Sequence, residues 1–339
     1  MAVIGSTVNT LVDIAKRMDP DGKVARIAEL LNQENEILDD IVWQEGNLPT
    51  GNRTTVRTGL PGVGFRALNE GVPRSKSTVS QFDEGAAMLE GFSEVDRKEA
   101  ILSGDIAAFR LSEQLAFYEA MNQTFSTFLM YGNASASPKA FNGFMPRLNS
   151  LSGPTGSQII DCGGTGTDNF SILLVVWDEN KVRGIYPKGT KAGLFHEDAS
   201  DVTVASDGFP RGTVLYDANG NPYMGYRDHY EWNCGLSVKD YRYVARGANI
   251  SRSALSVNQS TGANLQDVFI QLSERVQNLN GRAAFYAPRV VTSMLRRQMV
   301  DKKAAFLSWD EIGGRKVMNF DGIPIRRVDA MNVNEARVV

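Results

Sequence analysis

Two histidines, His196 and His229, are the only imidazoles in the chain. Neither has a metal-ligating partner three or four residues away, so a helical zinc pair is excluded. His196 lies in Leu194-Phe195-His196-Glu197-Asp198, which reads as a turn, and a lone histidine there reads as structural or exposed. Gly163-Gly164-Thr165-Gly166 is glycine-rich but lacks the Gly-Lys-Ser/Thr ending of a phosphate loop and opens no helix; it reads as a flexible loop. Asp217-Ala218-Asn219-Gly220-Asn221 echoes a calcium loop, yet its glycine is two positions early and no bidentate glutamate closes it. Cys162 and Cys234 form no C-x-x-C or zinc-ligand pattern and are expected to stay reduced in a cytosol. No histidine neighbours Cys162 in sequence, and Gly-x-Ser-x-Gly is absent, so an activated nucleophile has no support. Asp39-Asp40 and Asp310-Glu311 read as surface charge. Arg296-Arg297 with Lys302-Lys303 complements a helix dipole or marks an inter-subunit contact, and no interleaved aromatics support a DNA-facing patch. From sequence there is no catalytic, metal or cofactor-binding residue to assign.

The chain has 339 residues, 42% hydrophobic and 22% charged, enough for one large or two ordinary domains with a sizeable core. Thirty-six basic against 39 acidic side chains leave −3, without the basic excess of a nucleic-acid binder. Met1-Ala2-Val3-Ile4-Gly5-Ser6 has neither the basic start nor the apolar run of a signal peptide. The most apolar run, Ile172-Leu173-Leu174-Val175-Val176-Trp177, is strand length and far short of a membrane span. The expectation is a soluble protein made in a cytoplasm.

Helices are expected over 8–19 and 22–41, broken at Asp19-Pro20-Asp21-Gly22; Leu30, Leu31 and Leu38 belong to the apolar stripe of the second. That arm needs a partner surface, in its own subunit or a neighbour. Over 43–97 glycine and proline punctuate Thr/Val/Arg stretches, the pattern of an extended β-hairpin with a broad, apolar-poor tip. Residues 105–131 hold no Gly or Pro, and Phe109, Leu111, Leu115, Tyr118, Met121, Phe125, Phe128 and Leu129 follow a helical period, ending at Gly132-Asn133. Strands follow at 171–177, 182–186, 201–205, 213–216, 222–227, 229–233 and 241–246. Next come a helix at 264–279 capped by Asn264, a strand at 282–286 and a helix at 288–301 starting on Pro288. Asp321-Gly322 joins 315–320 to 323–328 as the clearest hairpin signal.

The order of these elements (arm, long hairpin, very long helix, mixed α/β region, closing hairpin) resembles the Hong Kong 97-type major capsid fold of tailed phages. Local wording resembles capsid proteins of short-tailed phages: Arg57-Thr58-Gly59-Leu60-Pro61 with Phe65-Arg66-Ala67-Leu68-Asn69-Glu70-Gly71-Val72; Ile185-Tyr186-Pro187-Lys188-Gly189 with Ala192-Gly193-Leu194; Trp232-Asn233-Cys234-Gly235-Leu236 with Asp240-Tyr241-Arg242-Tyr243; and Phe320-Asp321-Gly322-Ile323-Pro324-Ile325. The resemblance implies an α+β fold in four parts. These are an N-terminal arm (1–43), an extended loop hairpin with its return strand (44–97), a peripheral domain with a spine helix (98–135 plus 302–339) and an axial domain (136–301).

It further implies a non-enzymatic virion shell protein that assembles as pentamers and hexamers and encloses double-stranded DNA without sequence-specific binding or a membrane. A near-neutral wall suits that role. No long charged segment precedes the arm, so a separate scaffolding protein is implied, along with a portal and a cement or decoration protein. Inter-subunit contact is expected from Arg53, Arg57, Arg66, Arg74 and Lys76 of the loop and from Leu30, Leu31 and Leu38 of the arm. Lys76 is the only loop lysine that a family-type crosslink to a neighbour's asparagine could use. The alternatives are an encapsulin-like compartment shell, another virion part, and an enzyme with an unfamiliar site.

Overall fold

The structure, a computed structural model, describes residues 33–257, 262–302, 307–312 and 315–339. The helix expected over 8–19, most of that over 22–41, and Leu30 and Leu31 lie outside these residues. What is described of the arm departs from one continuous helix. Asn35 bridges Val328, Glu36 N donates to Arg327 O, and only Ile37–Asp40 is helical. Pairing with the distant 327–329 segment, reinforced by Glu34–Arg327 at 2.6 Å, overrides the local helical period. Leu38 is half-buried there.

In chain order the strands are β1 (Trp43–Glu45), β2 (Gly51–Gly59), β3 (Thr78–Asp96), β4 (Ile159–Asp161), β5 (Asn169–Trp177), β6 (Val182–Tyr186) and β7 (Leu194–Asp198). They continue with β8 (Thr213–Tyr216), β9 (Pro222–Val238), β10 (Val244–Ser251), β11 (Arg282–Ala287), β12 (Leu307–Ile312), β13 (Arg315–Phe320) and β14 (Ile323–Arg327). The chain forms two compact units. One comprises 34–87, 126–192 and 233–339; the other includes 88–125 and 193–232, so 193–232 groups apart from the rest of 136–301.

In the larger unit β5 is buried at every position and lies antiparallel between β10 and β11. A continuous apolar run is what a strand covered on both faces requires. Ile172, Leu174 and Val176 face a core that includes Leu265, Phe269 and Leu272 of the helix Leu265–Arg275. Phe269 packs edge-on to Phe285 at 4.6 Å and stacks on Phe320 at 5.2 Å. That helix is shorter than the 264–279 expected. Its first N–H is satisfied by Gln298 Oε1 at 3.0 Å, and Asn264 makes no side-chain cap. It stops at Arg275, where Gln277 N donates to Arg242 O and leaves Leu279 exposed. The following helix is Arg289–Lys302, one residue beyond the expected start. Asp321 (φ 51°) and Gly322 (φ 77°) both adopt the left-handed conformation that a two-residue hairpin demands. Trp177 Nε1 donates to Tyr286 OH at 2.7 Å, and Tyr286 OH in turn donates to Asp40 Oδ2 at 2.9 Å, tying the Ile37–Asp40 turn to the sheet.

In the smaller unit β7 and β8 both pair antiparallel with β9. The N-terminal part of the long helix Ile106–Tyr131, whose bounds match the sequence reading closely, lies on this sheet. Phe117 stacks on Tyr230 at 5.2 Å, and Phe125 meets Trp232 at 4.4 Å. The expected apolar stripe of this helix splits. Phe109, Met121, Phe125 and Leu129 are buried, whereas Leu111, Leu115 and Phe128 are exposed.

β9 is one 17-residue strand, with no break at 228. Asp228, only 2% exposed, bonds Arg110 at 2.7 Å and His196 Nε2 at 2.8 Å, so polar residues that read as a break are satisfied within the unit. Burial would raise the Asp198 carboxyl, but hydrogen bonds from Arg110 and Ser200 hold it below the ordinary carboxylate range. The strand expected over 201–205 is reduced to a single bridge, Val204 to Pro210.

Candidate assembly surfaces

The residues that invited chemical readings are absorbed by the fold. His196 lies in strand β7, not a turn, and stacks on Tyr230 while bonding Asp228. His229 stacks on Phe92 at 4.4 Å. Burial pushes both the Cys162 and Cys234 thiols up to about 12, the opposite of an activated nucleophile. The Gly163-Gly164 segment is pinned: Gly164 N donates to Asn249 O at 2.8 Å, and a Cβ on Gly164 would sit 2.6 Å from that oxygen. Asp217 closes its turn by accepting from the backbone N of Asn219 and Asn221. Among the described residues no group of three His, Cys, Asp or Glu is placed to hold a metal, and no helix is long and apolar enough to cross a membrane.

What remains is a hairpin built to be held at one end only. β2 and β3 pair from Gly51↔Gly85 to Gly59↔Thr78. At the root, the Glu84 side chain is 3% exposed, and its Oε1 accepts from Arg147 Nη1 at 2.8 Å and from Val238 N at 2.9 Å. Asn52, also buried, accepts from Arg183 Nη2 and donates to Thr54. Asn47 clamps the backbone of Arg53 with a reciprocal pair of hydrogen bonds at 2.7 and 2.8 Å. Gly51 is required because its φ of 150° and the Glu84 carbonyl leave no room for a Cβ.

Past the root the hairpin leaves its own subunit's cover, and every residue over 60–81 is exposed. The tip is shaped by local bonds: Ala67 N donates to the Glu70 carboxylate, Asn69 is left-handed at φ 64°, and Ser75 Oγ donates to Gly62 O at 2.7 Å. Of the cations expected to make contacts, Arg53 pairs with Asp83 of its own hairpin at 2.6 Å, which holds the Asp83 carboxyl below its ordinary value. Arg57, Arg66, Arg74 and Lys76 are exposed and take part in no ion pair among the described residues. Sequence reading missed the apolar side of the tip. Leu60, Val63 and Leu68 are 81%, 91% and 93% exposed, and Phe65 is entirely so. A Phe-x-x-Leu pair in a segment with nowhere to bury it was the available signal.

A profile of the major capsid protein GP7 family matches residues 19–339. The chain belongs to this family of major capsid proteins. The capsid protein is 31% identical to a chain in the near-atomic-resolution structure of bacteriophage Epsilon15, covering 100% of this chain and 99% of that one with a TM-score of 0.77. It therefore has the Hong Kong 97-type fold and is a structural component of a tailed-phage virion shell. It is also similar to a chain of the bacteriophage JBD30 capsid (10% identity, 90% and 93% coverage, TM-score 0.49). A similarity to the SrpI encapsulin complex from Synechococcus elongatus is of the same distant kind (10% identity, 72% and 97% coverage, TM-score 0.41). Neither distant similarity carries a functional argument. No protein of curated function matches the sequence.

Proposed function

We propose that this capsid protein builds its shell by laying the 44–97 hairpin over an adjacent copy, in closed rings of five and six subunits around double-stranded DNA. The observation that carries this is the fully exposed 60–81 segment with its apolar and cationic side chains. Such a segment gains order and burial only from another chain. A contact between two different patches, one on each copy, closes into rings when the rotation permits, and weak contacts add up in a closed shell.

In this reading the protein is not an enzyme. Its four parts follow the arm, extended loop, peripheral and axial divisions at 1–43, 44–97, 98–135 plus 302–339, and 136–301. Leu30, Leu31 and Leu38 make arm contacts, and Arg57, Arg66, Arg74 and Lys76 set the hairpin's registration more than its strength. A separate scaffolding protein, a portal and a cement protein complete the particle.

Replacing 61–76 by a short glycine linker tests the reading. The expected product is a soluble subunit with native circular dichroism that forms no particles in negative-stain micrographs. Normal closed shells from that variant would refute hairpin docking. Packaged phage DNA in the native particle, as opposed to a cargo enzyme, separates capsid from encapsulin-like compartment.

A further inference from the structure

Charge is divided unevenly along this near-neutral chain. Across 88–125 and 193–232 there are five basic and fourteen acidic side chains, a net of −9, against −3 for the whole protein. Over 57–76 of the hairpin there are four basic side chains and one acidic, a net of +3.

Among the described residues the acidic unit also has an exposed sheet face. The long helix packs on the face that carries Tyr230 and Trp232. Along β3 the alternate residues Met88, Glu90, Phe92 and Glu94 are all exposed, with Met88 at 73% and Phe92 at 53%. Phe92 stacks on His229, Glu90 lies 3.7 Å from that imidazole, and Glu197 is His229's cross-strand partner, so these residues share one face. Of the four glutamate and methionine/phenylalanine stripe positions on β3, Glu94 is already paired, with Arg227 at 2.6 Å. The solvated face of an antiparallel sheet is ordinarily polar, yet this one exposes a methionine and a phenylalanine alternating with carboxylates.

Resting on the hairpin-docking reading, we propose that this acidic, apolar-studded face of one copy is the receptor for the cationic, apolar hairpin tip of the next. Phe65 and Leu68 would cover Met88 and Phe92, while Arg66 and Arg74 meet Glu90 and Glu197. The two surfaces are opposite in charge and alike in exposing apolar side chains, and both belong to the same chain, so a single sequence supplies both halves of a head-to-tail contact. Charge complementarity of this kind fixes register and rejects misaligned neighbours.

Charge reversal tests this in full-length protein. Arg66→Glu/Arg74→Glu, and separately Glu90→Lys/Glu197→Lys, should each cut the yield of sedimenting shells by about tenfold or more, because like charges then face one another. The chain carrying all four substitutions should recover to within about threefold of wild type, since every interface is again complementary. That recovery would also show that the substituted chains fold. Circular dichroism on each two-residue variant separates lost assembly from lost folding.

If the tip variant fails while the face variant assembles normally, or if the combined chain is not rescued although folded, the receptor is elsewhere. Hairpin docking itself would still stand. Closed shells from the 61–76 linker variant would instead remove the docking reading and this inference together.

Discussion

Asp83 and Glu84 are neighbours in sequence on strand β3, and each meets an arginine, yet the two pairs differ in kind. Glu84 points inward, 3% exposed, and holds Arg147 and the Val238 N–H. Asp83 points outward, 53% exposed, and holds Arg53. Alternation along a strand is all that separates them. An inward carboxylate whose partner is removed leaves an uncompensated charge, whereas an outward one is simply re-solvated. The root of the hairpin is thus part of the fold, and the tip, left outside it, is the part that the proposed docking would use.

This contrast can be broken at several points. Glu84→Ala should cost about 3 kcal/mol in denaturant unfolding of the unassembled subunit, by stranding Arg147 in a partly buried site. Glu84→Gln, which keeps an acceptor for Val238 N but loses the charge, should cost less, and an equal cost would mean that the charge alone carries the effect. Gly51→Ala should cost about 2 kcal/mol or more by the same measurement, because the new Cβ meets the Glu84 carbonyl. Asp83→Ala should shift stability by no more than about 0.5 kcal/mol. Phe65→Ala should leave the free subunit's unfolding unchanged within about 0.5 kcal/mol while lowering shell yield, the signature of a residue that works only between copies.

The smallest effect concerns the thiols. Cys162 and Cys234, both pushed up to about 12, should resist iodoacetamide at neutral pH until the chain is unfolded. Acid offers a separate check. Asp198 is held below its unfolded value, so its contribution is fully present above the ordinary carboxylate value and is lost as pH falls from there through the lowered folded value. Asp198→Asn should flatten that part of the stability profile.

Local signals were legible where local physics decides. The long helix, the buried β5 run and the Asp321-Gly322 hairpin are each dictated by period or turn chemistry. The errors came where distant residues decide. Asp228 reads as a strand break until Arg110 and His196 are placed against it. Asn264 reads as a cap until Gln298 takes that role. Along the long helix, Leu111 and Leu115 read as core because periodicity records only that a residue is apolar and not whether it is covered. The hairpin was legible as a hairpin, but its arginines drew attention from Phe65 and Leu68, whose meaning depends on their exposure.

The free tip also makes the subunit its own reporter of incorporation. Arg57, Arg66, Arg74 and Lys76 present a row of trypsin-cleavable bonds on an unsheltered stretch. With the tip docked as proposed, the moment at which those bonds stop being cut in a reaction mixture would mark when a molecule has left the pool of loose subunits, so a protease and a gel could time shell growth without any label.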